Sequence, residues 1–299
     1  MTELGYEAGV ELTTRSQWAY VRIRFLRHRL AVICLVVLIL IALVGIFASQ
    51  VAPYGYDELD LENIAQSPTL EDWHLFGTDQ LGRDYLSRVI FGVRTSLWVA
   101  VFVALVSTAI GTAIGAVAGF YGGKVDNLLM RFTDLVLTVP GLAVLLTASV
   151  FLGSGEPLQI GLILALLFWT TIARIVRGAF LSLREEDYVD AAKAAGASDL
   201  RIIGRHMLPN CVGPIVVNAT LAVAAAILVE AALSFLGLGI QPPNPALGRL
   251  ISEGQSSGFE LWWLVTFPGL VIVAIALCVN FVGDGLRDAF APRQGRGSR

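Results

Sequence analysis

Five stretches of this chain carry no charged side chain: 30–56, 95–123, 135–155, 157–173 and 261–283. A sixth begins at 207, is interrupted by Glu230 and continues to Gly239. At about 1.5 Å per residue, roughly 20 helical residues cross the hydrocarbon core of a bilayer, so each stretch reads as a membrane span. The pattern predicts spans at 30–51, 96–119, 135–152, 158–180, 212–236 and 262–283. The run at 157–173 is short alone, but Arg174 and Arg177 can snorkel from its end. The first run is too long for the apolar region of a signal peptide and has no small-residue cleavage pattern before the next charge, so it is expected to be retained. The expected fold class is an all-α integral membrane protein with six transmembrane helices.

The polar segments set the orientation. All but four of the 21 basic residues fall in the two tails and in the loops at 120–134 and 174–209. The four exceptions are Arg83, Arg88, Arg94 and Arg249. The positive-inside rule then puts both termini in the cytoplasm. The expected divisions are a cytoplasmic tail at 1–29, with a basic cluster from Arg15 to Arg29, and the first span at 30–51. An external segment at 52–95 and a five-helix core at 96–283 follow, then a second cytoplasmic tail at 284–299. The external segment opens acidic, with Asp57, Glu58, Asp60, Glu62, Glu71 and Asp72. It then offers an amphipathic helix before the second span: Leu81, Tyr85, Leu86, Val89, Ile90 and Val93 on one half, Arg83, Asp84, Ser87 and Arg88 on the other. Residues 237–261, with three prolines and a Gly/Ser stretch, read as an external re-entrant or lid-like loop. Trp262 and Trp263 suit the interfacial aromatic belt.

Composition agrees with the pattern. The chain has 299 residues, 56% hydrophobic and only 15% charged, with mean hydropathy +0.71; a soluble protein has about 25% charged residues. A net charge of −3 leaves no nucleic-acid footprint. Cys34, Cys211 and Cys278 lie far apart in or beside apolar runs and read as buried thiols.

The longest mixed-charge segment of the C-terminal half is 185–209. Asp187 to Ala195 reads as a short Ala-rich helix ended by Gly196, which takes the left-handed conformation freely. Ser198 is a candidate N-cap for a second helix that Pro209 stops, with Leu200, Ile203 and Met207 on one stripe and Arg201 and Arg205 on another. A capped elbow with an apolar stripe is suited to docking onto a partner. Asp190-Ala191-Ala192, then Gly196, then Leu208-Pro209, resembles the E-A-A-x3-G-x9-I-x-L-P loop of binding-protein-dependent ABC import permeases. Asp190 stands in place of Glu, and His206 in place of Ile. In that family the loop is the cytoplasmic coupling element that seats in a cleft of the ATPase. The resemblance thus implies that Asp190, Ala191, Ala192, Gly196, Leu200, Ile203, Met207 and Pro209 form the ATPase-coupling surface.

A second motif lies far away. Gly77-Thr78-Asp79, Gly82-Arg83-Asp84 and Ser87-Arg88 resemble the G-T-D-x-x-G-R-D-x-x-S-R signature of the C-type permease of dipeptide, oligopeptide and nickel importers. The end of the fifth span, I-L-V-E-A-A-L-S-F-L-G-L-G-I-Q-P-P, and the stretch G-D-G-L-R-D-A-F-A-P at 283–292 are similar to the same group. The resemblance covers Phe76 to Pro292. It implies a bacterial inner-membrane assembly of this chain with a homologous second permease, two ATPase domains or subunits and an external peptide-binding protein. ATP and Mg would be bound by the ATPases, with no cofactor, metal or catalytic residue here. The Tyr121–Asn127 loop lacks G-x4-G-K-[ST], so the chain does not bind ATP by that route.

Two features within the spans stand out. Gly111, Gly115 and Gly119, with Ser107 a turn earlier, form a small-residue ridge for close helix packing, within this chain or with a partner. Glu230 is the single acid inside a span, where translocon scales charge about 2.5–3.5 kcal/mol, so it must meet a polar neighbour or a wet pathway. Apart from Arg174 and Arg177 at the end of the fourth span, the spans hold no other charge, and the three histidines (His28, His74, His206) are scattered, which argues against a membrane enzyme. A self-sufficient channel or carrier would show several intramembrane charges or a selectivity filter. The expected function is a permease subunit passing peptides, driven by separate ATPases; nickel or another small chelate is the alternative cargo.

Overall fold

The computed structural model describes residues 17–70, 73–152 and 155–291. Arg15, Glu71, Asp72 and Pro292 fall outside them. The described residues form helices and no strand beyond one isolated bridge between Thr78 and Asp84, as an all-α fold requires. Helix α1 (Gln17–Arg27) is separated from α2 (Arg29–Ile46) by His28, whose Nδ1 accepts the Ala31 N–H and caps α2. A single turn, α3 (Ala48–Val51), follows. Next come α4 (Tyr85–Tyr121), α5 (Gly123–Thr138), α6 (Gly141–Leu152), α7 (Pro157–Arg184), α8 (Asp187–Ala194) and α9 (Asp199–Arg201). The last three are α10 (Val212–Phe235), α11 (Leu247–Ser256) and α12 (Trp263–Phe290).

Among the described residues, five helical stretches are long and apolar enough to cross a membrane: Arg29–Ile46, Tyr85–Tyr121, Pro157–Arg184, Asp199–Phe235 and Trp263–Phe290. The expected span at 135–152 takes another form. Its helix is divided at Val139–Pro140, because Pro140 has no N–H to give and pushes Val139 into extended backbone, ψ 127°. The remaining α6 has 12 residues, about 18 Å of helix. Two ion pairs tie α5 to α7, Arg177 to Asp126 and Arg174 to Asp134 (2.6 Å).

The α4–α7 pair is the centre of the bundle, and the glycine ridge explains it. A Cβ on Gly111 would lie 2.6 Å from the Trp169 carbonyl oxygen. One on Gly115 would meet the Ala173 carbonyl, and one on Gly119 the Phe180 side chain. The ridge is therefore spent on packing within this chain. On the other side of α4, α10 and α12 close the main core around Val99, Val103, Ile227 and Ile275, and α2 lies against α4 and α12. Cys34 and Cys278 meet in a small cluster between α2 and α12; all three cysteines are free and buried.

Three further expectations change. The amphipathic helix of the first external segment is the start of α4, 37 residues long and continuous with the second span. Its polar half turns inward, with Asp84, Ser87 and Arg88 buried, while Leu81 is exposed. Of the expected re-entrant or lid-like loop, residues 247–256 form a regular helix whose Leu247 and Leu250 are fully buried, so this part is not a lid. Trp262 is exposed as an interfacial residue should be, but Trp263 is buried and donates Nε1–H to the Thr78 carbonyl at 3.1 Å.

Candidate functional site

The elbow is built at one end of the α4–α7 pair. After α8, Gly196 takes φ +74°, and the N–H of Ala197 returns to the Ala192 carbonyl at 3.0 Å. This six-to-one bond, with Ala192 and Ala197 both half-buried, is a Schellman ending. Nothing lies within 4 Å of where a Gly196 Cβ would sit, so the backbone angle and not crowding calls for glycine. Ser198 holds the N-cap position, although its side chain makes no capping bond.

The second arm departs from expectation. Pro209 does not stop it. The helix widens into a π turn over Ile202–Met207, with Leu208 N–H bonded to the Ile203 carbonyl, then tightens into a 3-10 turn over Leu208–Cys211 and runs on into α10. The missing N–H of Pro209 falls where the pairing changes, so the proline is accommodated in place of breaking the helix. The irregular turns also rotate the faces. Val189, Ile202, Met207 and Cys211 are buried in one cluster with Phe120 of α4 and Val176 and Phe180 of α7. Met207, expected on the docking stripe, is thus fully inside and holds the elbow from within.

What the elbow presents outward is Asp190, Ala191, Gly196, Leu200 and Pro209, with Ala192 and Ile203 half-buried. Leu200 is 82% exposed. Asp190 pairs with Lys193 at 3.0 Å. Asn210 donates to the His206 carbonyl at 2.7 Å, so the residue that replaces an aliphatic one sits beside a side-chain bond that stiffens the turn. The elbow thus sets an exposed leucine beside an acidic N-terminal turn, backed by a packed apolar cluster.

Glu230 has no exposed surface. Ser234 Oγ donates to Oε1 at 2.7 Å and Ser96 Oγ to Oε2 at 3.0 Å. Each hydroxyl also accepts a backbone N–H, from Ile240 and Leu247 respectively. The carboxylate is the hub that joins α4, α10 and the start of α11.

The motif at 77–88, whose charges were expected on the polar half of an interfacial helix, forms a buried polar clamp. Asp79 accepts from Arg83 Nε at 2.7 Å and from Arg88 Nη1 at 2.6 Å. Arg88 Nη2 donates to Glu253 of α11 at 2.8 Å, and Arg249 Nε to the same carboxylate at 3.0 Å. His74 Nδ1 lies 2.9 Å from Asp84, the N-cap of α4. The Tyr85 hydroxyl reaches the carbonyls of Leu250 and Leu264. Burial alone would raise the Glu253 carboxyl, but the charges and hydrogen bonds of Arg88 and Arg249 outweigh it and hold the group below its ordinary value. Asn63 and the Glu62 N–H likewise lower the half-buried Asp60. This clamp locks the segment before α4 onto α11 and α12, at the end opposite the elbow. The nearest signal in the sequence was the density of paired opposite charges in 79–88; their partners on α11 lie 165 residues away.

An elbow outside the bundle, a polar clamp at the other end and long apolar helices between them define a membrane-spanning transport subunit. The chain belongs to the family of binding-protein-dependent transport system inner membrane components, the permease subunits of ABC importers, whose pattern matches residues 111–296. Residues 16–68 match the N-terminal TM domain of oligopeptide transport permease C. Among curated relatives, the oligopeptide transport system permease protein OppC of Escherichia coli K12 is 43% identical over 95% of this chain and 94% of its own. A putative peptide transport system permease protein of Brucella abortus is 43% identical over 90% of each chain. OppC of Mycobacterium bovis is 40% identical over 90% of this chain and 92% of its own. A solved structure of the MetNI methionine ABC transporter in an inward-facing conformation aligns with TM-score 0.55 and 20% identity over 69% of this chain and 97% of that one, a likeness of fold.

Proposed function

We propose that this chain forms one half of a translocation pathway for short peptides. An external binding protein would deliver them, and ATPase subunits docked on the 185–209 elbow would drive transport. The cargo is inferred from the relatives named for peptide and oligopeptide transport. The single observation that carries the coupling role is the elbow itself: Leu200 projects outward while Val189, Ile202 and Met207 anchor the same turn between α4 and α7. ATP-driven closure of the ATPases would displace the elbow, and the close α4–α7 contact would carry that movement along the bundle.

In this reading a homologous permease supplies the other half of the pathway, and both ATP and Mg reside in the ATPases. The 96–283 segment is the working core, 30–51 the peripheral first span, and 52–95 the clamped outer segment. The tails at 1–29 and 284–299 lie with the elbow in the cytoplasm, as the basic bias argues. The experiment is reconstitution of the full complex in proteoliposomes with binding protein outside and ATP inside. ATP-dependent accumulation of a labelled tripeptide supports the reading; accumulation of a nickel chelate in preference to peptides would reassign the cargo.

A further inference from the structure

A groove of about 540 Å³ runs between α5, α6, α7 and α10. Its lining is uncharged, and its polar side chains are Thr170, Thr171 and Asn218. Thr170 is buried and donates to the Leu167 carbonyl of its own helix. Thr171 is exposed and its hydroxyl has no hydrogen-bond partner among the described residues. Asn218 donates Nδ2–H to the Pro214 carbonyl at 2.8 Å, and its amide oxygen has no partner among the described residues. The division of the helix at Val139–Pro140 opens onto the same groove, since Val139 and Gly141 both line it. Thr171 stands near the middle of α7, so this irregular backbone lies deep in the bundle.

A face turned to acyl chains has no use for a free hydroxyl and a free amide oxygen, which lose their water bonds there without replacement. Interrupted helices at membrane depth are tolerated where they are covered by protein or line a wet cavity. We propose that this groove is the surface over which the peptide passes, with Thr171 Oγ and Asn218 Oδ1 exchanging hydrogen bonds with its backbone amides. The assignment rests on the import reading above. Every peptide bond offers one N–H and one C=O. A hydroxyl that gives and accepts, beside an oxygen that accepts, matches that repeating pair whatever the cargo's side chains. The uncharged lining neither attracts nor rejects charged side chains, as suits a pathway that leaves selection to another component. The Arg174–Asp134 pair, half-exposed and about one turn beyond Thr171 toward the elbow, balances its own charge at the groove's end.

The test uses the whole complex in proteoliposomes with tritiated trialanine and a tripeptide bearing a benzophenone side chain. Ala225 is exposed in the groove wall. Ala225→Trp should cut trialanine uptake by about tenfold or more, the effect of overfilling a fitted space, with the partner permease and ATPases still co-purifying. Thr171→Val combined with Asn218→Leu should cut it about five- to tenfold, the size expected when one or two hydrogen bonds to a passing amide are lost. The benzophenone tripeptide should attach to fragments containing 167–172 or 218–225, and only when ATP is supplied. Near-wild-type uptake by both variants overturns the groove assignment and leaves the import reading standing. Loss of the partner permease from Ala225→Trp, with no photoattachment in the wild type, makes the groove a subunit contact and also overturns it. A wild-type complex that accumulates no peptide fails the import reading, and the groove falls with it.

Discussion

Glu230 illustrates how a single acid is held inside an apolar helix. Two serine hydroxyls give it hydrogen bonds, and backbone N–H groups occupy the same hydroxyls, so the cost of burial is met by a connected network. Glu230→Gln keeps the shape and an acceptor for one serine, and it should assemble and unfold within a few degrees of wild type. Glu230→Leu strands both hydroxyls and should cost about 1–3 kcal/mol for each group left unsatisfied, read as a lowered unfolding temperature in detergent. Equal loss in both variants would show that the charge, and not the network, is the requirement. At Gly196 the backbone angle is decisive, and any Cβ there costs about 1 kcal/mol or more. That glycine was legible in the sequence because it follows an Ala-rich helix. The fate of Met207 was not legible, because a regular helix was assumed and the π turn at Ile202–Met207 shifts every later residue around the axis.

Among the elements, the α4–α7 contact and the clamp carry the most. The glycine spacing at 111, 115 and 119 announced a close-packed helix pair, although only the fold names α7 as its partner. Gly115→Val should wedge the pair apart at a cost of about 1–3 kcal/mol or more and loosen the elbow. Cross-linking between introduced cysteines at the α4 and α7 ends would report it. In the clamp, Asp79→Ala leaves the buried Arg88 and its neighbour Arg83 with one carboxylate between them. Removing one partner of a buried pair costs about 3–5 kcal/mol, so the segment 52–84 should become sensitive to protease. Asp134→Ala breaks a half-exposed pair and should cost roughly 0–1 kcal/mol. The depressed Glu253 carboxyl gives a pH signature. Its contribution is complete above the ordinary glutamate value of 4.5 and is lost as pH falls through its lower folded value. Protease protection of 237–261 should therefore hold from pH 8 to pH 5 and decline only in stronger acid. The clamp escaped sequence reading because amphipathicity was taken to place Arg83, Asp84, Ser87 and Arg88 toward solvent. Opposite charges on α11 reverse that preference. The break at Val139–Pro140 escaped because counting charge-free residues measures length and ignores the missing N–H of one proline.

For the whole molecule, charge-free length located the starts of α2, α7, α10 and α12 to within one residue, since apolar runs of that size have few alternatives, but not the ends of α2, α7 and α12, which charged residues extend or a short turn interrupts. The orientation proposed from the basic bias has the elbow and tails inside and the clamp outside. The native cysteines are buried, so introduced ones can be read against them. An impermeant thiol reagent applied to intact cells should label Leu61→Cys and leave Ser198→Cys unlabelled; the reverse would invert the topology and separate the elbow from ATP.

The central claim is that the exposed face of 185–209 is where ATP hydrolysis in other chains becomes movement in this one. Its most direct test is ATP-driven uptake of a labelled tripeptide by the reconstituted complex, measured beside retention of the ATPase subunits. Gly196→Asp should leave the chain in the membrane and abolish uptake, and Leu200→Asp, at a site whose exposure spares the fold, should release the ATPases. Wild-type uptake and wild-type ATPase retention in both variants, at normal expression, would contradict the account and make the elbow an ordinary solvated loop.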